Sequence, residues 1–124
     1  MWIFMSDSFL SVVNHKNPKM LTVRARVAGD IENVFPKAKV AHTPKRDYYY
    51  RTTLPREQVA KAIADSVAKI DYNNFKNSVS DNGRHNALLE CWTAMWKWGR
   101  GIFDIEAAND KADNDWWLNG EIRR

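Results

Sequence analysis

The stretch Leu21-Thr22-Val23-Arg24-Ala25-Arg26-Val27 alternates without a break between apolar and polar residues. A period of two is that of a β-strand, which predicts Leu21, Val23, Ala25 and Val27 toward a core and Thr22, Arg24 and Arg26 toward water. Upstream, Ser8-Phe9-Leu10-Ser11-Val12-Val13-Asn14 is rich in β-branched and aromatic types, and His15-Lys16-Asn17-Pro18-Lys19 is a turn signal. The two segments read as an antiparallel hairpin with one wet face.

Downstream, Gly29 interrupts the alternation, Asp30 suits an N-cap, and Ile31, Val34 and Phe35 follow at helical spacing before Pro36. Residues 39–43 and 47–53 form two further strand candidates around Pro44-Lys45-Arg46, the second carrying Tyr48-Tyr49-Tyr50. Strand alternation puts Tyr48 and Tyr50 on one face and Tyr49 with Arg51 on the other. Val59, Ile63, Val67 and Ile70, with alanines between, predict a helix from about Pro55 to Ile70. Phe75 and Val79 suggest one more short turn before Asp81-Asn82-Gly83. Leu88, Leu89, Trp92, Met95 and Trp96 mark a last helix ending near Gly99, with Cys91 turned toward its apolar face as a small core residue.

The order β-β-α-β-β-α-α predicts an α+β fold, an antiparallel four-stranded sheet with two or three helices on one face. Residues 22–70 match most of a ferredoxin-like unit, whose closing strand the first strand would replace. Residues 1–100 are expected to form a single domain and residues 101–124 an acidic, tryptophan-containing extension.

With 124 residues, 44% apolar and 12% aromatic, the chain has enough material for one core. No apolar run approaches the roughly 18 residues that cross a bilayer. The start Met1-Trp2-Ile3-Phe4-Met5 lacks the basic flank and apolar length of a secretory signal, so a cytoplasmic location and no membrane partner are expected. A single cysteine excludes an internal disulfide. Residues 1–99 carry 15 basic against 9 acidic side chains, and residues 100–124 carry 4 against 6.

His15, His42 and His85 have no metal-ligand spacing, and the five glycines form no phosphate-binding loop, so no cofactor or metal is expected. His15 with His42 and Arg51 or Lys45 is the one conceivable acid-base set, set against the simpler reading of surface and turn histidines. Between Lys37 and Arg56 six basic residues face one acid, Asp47, and are interleaved with three tyrosines. Cations hold phosphates and aromatic faces stack unpaired bases, so Lys39, Lys45, Arg46, Tyr49 and Arg51 are candidate nucleic-acid or partner contacts. Trp116 and Trp117, adjacent in an acidic segment, imply docking either on the protein's own body or on a partner. Asp71-Tyr72-Asn73-Asn74-Phe75-Lys76 is read as a cap for the following turn, anchored by Phe75.

As a set, Phe9-Leu10-Ser11-Val12-Val13-Asn14-His15, Leu21-Thr22-Val23-Arg24-Ala25-Arg26, Asp47-Tyr48-Tyr49-Tyr50-Arg51 with Leu54-Pro55-Arg56-Glu57, and Ile70-Asp71-Tyr72-Asn73-Asn74-Phe75-Lys76 resemble a family of short hypothetical proteins of bacteria and their phages. The resemblance covers roughly residues 1–98 and carries over no catalytic residue. It implies a non-catalytic interaction protein, associated with a phage or mobile element, that binds and inhibits a host protein or complex in the manner of a counter-defence or anti-CRISPR factor. The alternative is a nucleic-acid-binding protein using residues 37–56.

Overall fold

A computed structural model describes the backbone of residues 1–120 and the side chains of residues 1–112. Two compact units divide the chain, Met1–His85 and Asn86 onward. The first is α+β. Its strands are β1 (Trp2–Met5), β2 (Ser8–Asn14), β3 (Met20–Ala25), β4 (Ala41–His42) and β5 (Tyr50–Pro55). They form one sheet in the order β1-β2-β3-β5-β4 with every neighbouring pair antiparallel.

The expected β2–β3 hairpin is present, with Val12 opposite Val23 and Ser11 opposite Arg24. The sheet has five strands rather than four, because Trp2-Ile3-Phe4-Met5 folds back on β2 through the two-residue loop Ser6-Asp7. The Met1 ammonium donates to the Val12 carbonyl at 2.8 Å, which extends the β1–β2 pairing by one residue.

Alternation divides each strand between two faces. Leu10, Val12, Val23, Ala25 and Leu54 point inward and are buried with Ile31, Phe35 and Val59. Those last three belong to or follow α1 (Asp30–Val34) and belong to α2 (Arg56–Ala68), so both helices cover the same sheet face. Val27 was expected inside. It lies past the end of β3 and is exposed.

Gly29, not Asp30, precedes α1, and its φ of 91° is the left-handed conformation that glycine adopts at little cost. Asp30 is instead a buried structural acid. Its Oδ1 and Oδ2 accept from the Arg84 guanidinium at 2.6 and 3.1 Å, and Oδ2 also accepts from the Phe9 amide at 2.9 Å.

α2 was expected to bury Val59, Ile63, Val67 and Ile70. Only its first half does so, because the helix leaves the sheet as it proceeds. Val59 is buried and Ile63 half-buried, whereas Val67 is 62% exposed and Ile70, beyond the helix end, 51%. A groove of about 420 Å³ opens where α2 does not reach β1, lined among others by Met1, Ile3, Val12 and Ile63. The turn after Phe75 is a 3-10 helix, Lys76–Ser78, with the Asn74 side chain accepting from the Asn77 amide.

The last helix, α3, spans Asn82–Gly120 and does not stop at Gly99. The acidic segment is thus helical as far as Gly120. Cys91 is exposed, not a core residue, and so are Leu89, Trp92, Met95 and Trp96. No helix among the described residues is long and apolar enough to cross a membrane.

Leu10, fully buried, and Val67, exposed, give the packing account opposite outcomes. Leu10→Ala should cost about 2–5 kcal/mol in urea unfolding, the range for large-to-small core changes, while Val67→Ala should stay within about 0.5 kcal/mol. Equal costs would contradict the inward and outward assignment.

Candidate functional site

The outer face of the sheet carries the chemistry. Cross-strand register sets Trp2 of β1 opposite Ser11 of β2, Ser11 opposite Arg24 of β3, Arg24 opposite Arg51 of β5, and Arg51 opposite Ala41 of β4. Strands lie about 4.8 Å apart, so this single row runs roughly 19 Å across the sheet. A second row pairs Phe4 with Phe9. Arg26 lies just past the end of β3, and its guanidinium reaches the same tyrosine ring as that of Arg24.

The segment between β4 and β5 turns back on itself. The Thr43 amide donates to the Tyr49 carbonyl at 2.6 Å, the Thr43 hydroxyl to the Tyr48 carbonyl at 2.8 Å, and the Arg46 amide to the Thr43 carbonyl at 3.1 Å. This bend breaks the alternation expected of residues 47–53. Tyr50 goes to the core side, but Tyr48 joins the outer side, where the Arg24 and Arg26 guanidinium carbons sit 4.4 and 4.7 Å from its ring centroid. Cations over an aromatic face are attracted by its quadrupole, more strongly where water is excluded. The Tyr48 ring is only 3% exposed.

Burial raises the Tyr48 pKa, yet hydrogen bonds with Ser11 and Arg26, with the charges of Arg26 and Arg24, outweigh it together and hold the phenol below its ordinary value. Arg24 Nη2 donates to Ser11 Oγ at 2.7 Å, and Arg51 Nη2 to Asp47 Oδ1 at 3.2 Å. Asp47 is well exposed, so that ion pair is weak. The Nε atoms of both Arg24 and Arg51 are buried without a hydrogen-bond partner. Two guanidinium groups thus cover one phenol, and a third, Arg51, stands opposite Arg24 beside one exposed carboxylate.

Aromatic rings extend the site toward β1. Phe4 and Phe9 stack at 4.6 Å, Trp2 meets Phe9 edge-on at 6.2 Å, and Phe9 approaches Tyr48 at 6.5 Å. Trp2 is 67% exposed and Phe4 38%, so part of this aromatic surface faces water.

Of the residues singled out in the sequence, Arg51 lies at the centre of this cluster. Tyr49, Lys45 and Arg46 are exposed in and beside the bend that carries Tyr48. Lys39 is exposed on the approach to β4, where its carbonyl accepts from Thr52 Oγ1 on the core side, away from the arginine row. Trp116 and Trp117 belong to α3 by their backbone, and their side chains lie outside the described residues. His15 and His42 are not brought together. The first follows β2 and accepts from the Asn17 amide, the second stacks on Tyr50 in β4, and two strands intervene. No group of metal-ligating side chains forms among the described residues.

Trp2, Phe4, Phe9, Ser11, Arg24, Arg26 and Tyr48 were not singled out from the sequence. The outward parity of Arg24 and Arg26 was visible there; the strand partners that collect the others were not. Comparison with protein-family models, curated protein sequences and solved structures gives no match.

Tyrosinate absorbance on alkaline titration reads the Tyr48 environment directly. One of the four tyrosines should ionise below the ordinary tyrosine range, and Tyr48→Phe should remove that early step. Four tyrosines ionising together, or an early step that survives the substitution, would contradict the geometry.

Proposed function

We propose that this chain is a non-catalytic nucleic-acid-binding protein that lays a single strand across the outer sheet face. The observation that carries the reading is the cluster of Arg24 and Arg26 over Tyr48 with Arg51 opposite Arg24 on the neighbouring strand, and Asp47 as the acid paired with Arg51. Guanidinium forks match phosphate oxygens in geometry and charge, so a strand supplies negative charge to a cluster whose one paired acid is exposed. Trp2 and Phe4 offer exposed ring faces beside it, on which unpaired bases stack at about 1–3 kcal/mol each.

The topology supports the same reading. The strand order β2-β3-β5-β4 favours reading β3, α1, β4, β5 and α2 as a ferredoxin-like plan, with β2 taking the place of the closing strand. Four-stranded sheets with helices on one face commonly present the other face to single-stranded RNA through aromatic side chains. In this reading the resemblance to short proteins of bacteria and phages suggests a factor acting on host nucleic acid or on a host complex that contains it.

An oligonucleotide titration at several salt concentrations tests this. With three phosphate contacts, log K should fall against log salt with a slope of about −2, at roughly 0.7 per contact on a single strand. Combining Arg24→Gln, Arg26→Gln and Arg51→Gln should abolish most of the affinity and the slope, while Lys45→Gln with Arg46→Gln lowers affinity less. Absence of binding at about 50 mM salt, where electrostatic association is strong, would remove the proposal. Recovery of a host partner that survives nuclease treatment would instead assign the arginines to an acidic protein surface.

A further inference from the structure

We propose that α3 is an oligomerisation helix whose apolar face is covered by further copies of this chain. From residue 88 its sequence repeats with a period of 3.5. With Leu88 at heptad position a, Met95 and Ile102 fall on a, and Cys91, Trp98 and Ile105 on d. Asn109 and Ala112 continue the register, and a lone Asn at an a position is a device that fixes partner number and alignment. Beside this seam runs a second one on positions b and e, made of Leu89, Trp92, Trp96 and Phe103. Charged side chains between 88 and 105 are confined to positions c and f: Glu90, Lys97, Asp104 and Arg100. Arg100 holds Asp104 at 3.3 Å along that polar side.

Leu88 is buried, but from residue 89 onward both seams are open to solvent, with Trp98 65% and Met95 62% exposed, and Trp92 and Trp96 stack at 6.4 Å on the surface. Allowing roughly 150–250 Å² for a whole aromatic side chain, the exposed apolar surface amounts to about 900 Å², more than the roughly 800 Å² per partner that a stable interface buries. A helix that long draws its stability from packing such a face rather than from propensity.

The occupant follows from width and charge. At 100° per residue the apolar arc is roughly 200° wide, more than a single facing helix covers. Symmetric copies supply two neighbours to each helix, as in a bundle. A membrane surface would favour a polar side rich in lysine and arginine, and here Glu90 and Asp104 balance Lys97 and Arg100.

Sedimentation of the full chain at about 1–100 µM, the range in which a micromolar interface assembles, reads the outcome. The mass should exceed the 14.4 kDa of one chain by a whole multiple. Trp98→Glu with Ile102→Glu should return it to one chain, Ile105→Asp should independently weaken assembly at least tenfold, and Lys97→Glu, on the polar side, should leave it intact. Thermal unfolding of the sheet unit serves as the folding control for each variant. A single-chain mass throughout the range, or an assembly that survives both seam variants, would overturn the proposal.

Discussion

Arg24 and Arg51 stand directly opposite each other on neighbouring strands, and this like-charge contact is the constraint around which the outer sheet face is organised. Facing cations destabilise an antiparallel pair unless something offsets them. Ser11, Tyr48 and Asp47 each take part of that role, and the β4–β5 bend exists in the form needed to deliver Tyr48. The inner face prevents escape. Val23 and Ala25 are fully buried, so a slip of one residue in β3 would carry the arginines into the core and the apolar side chains into water. Core packing thereby fixes the position of this positive charge, which the proposed function assigns to a phosphate backbone.

A second restraint comes from Asp30. Buried acids need partners, and this one has three donors, two from Arg84 and one from the Phe9 amide. It ties the start of α1 to the start of β2 and to the first turn of α3. Removing one side of such a buried pair typically costs about 3–5 kcal/mol, because the other charge stays behind unpaired. Phe9 anchors the aromatic row, so stability and the proposed binding surface draw on the same carboxylate.

Local periodicity carried much of the fold. β2, β3 and α2 were legible because alternation and helical spacing are properties of consecutive residues, and the outward parity of Arg24 and Arg26 followed from the same pattern. Long-range facts were not legible. β1 is four residues whose strand character depends on finding β2. Tyr48 changed sides because of hydrogen bonds to Thr43, and Asp30 resembled an N-cap because its partner lies 54 residues away. An apolar stripe does not say what covers it, which is why Val67 and Cys91 were assigned to a core they do not join. The basic stretch of residues 37–56 supplies Tyr48 and Arg51 to the cluster, while Arg24 and Arg26 come from β3 and the residue just past it.

Backbone amide shifts of isotope-labelled protein, followed as a short single-stranded oligonucleotide is added, test the central claim most directly. The account predicts that the largest changes fall on Ser11, Arg24, Arg26, Tyr48 and Arg51, with the Trp2 indole shifting alongside, while α2 stays unmoved. Changes centred on α2 or on the groove beside β1, with the arginine row silent, would contradict it.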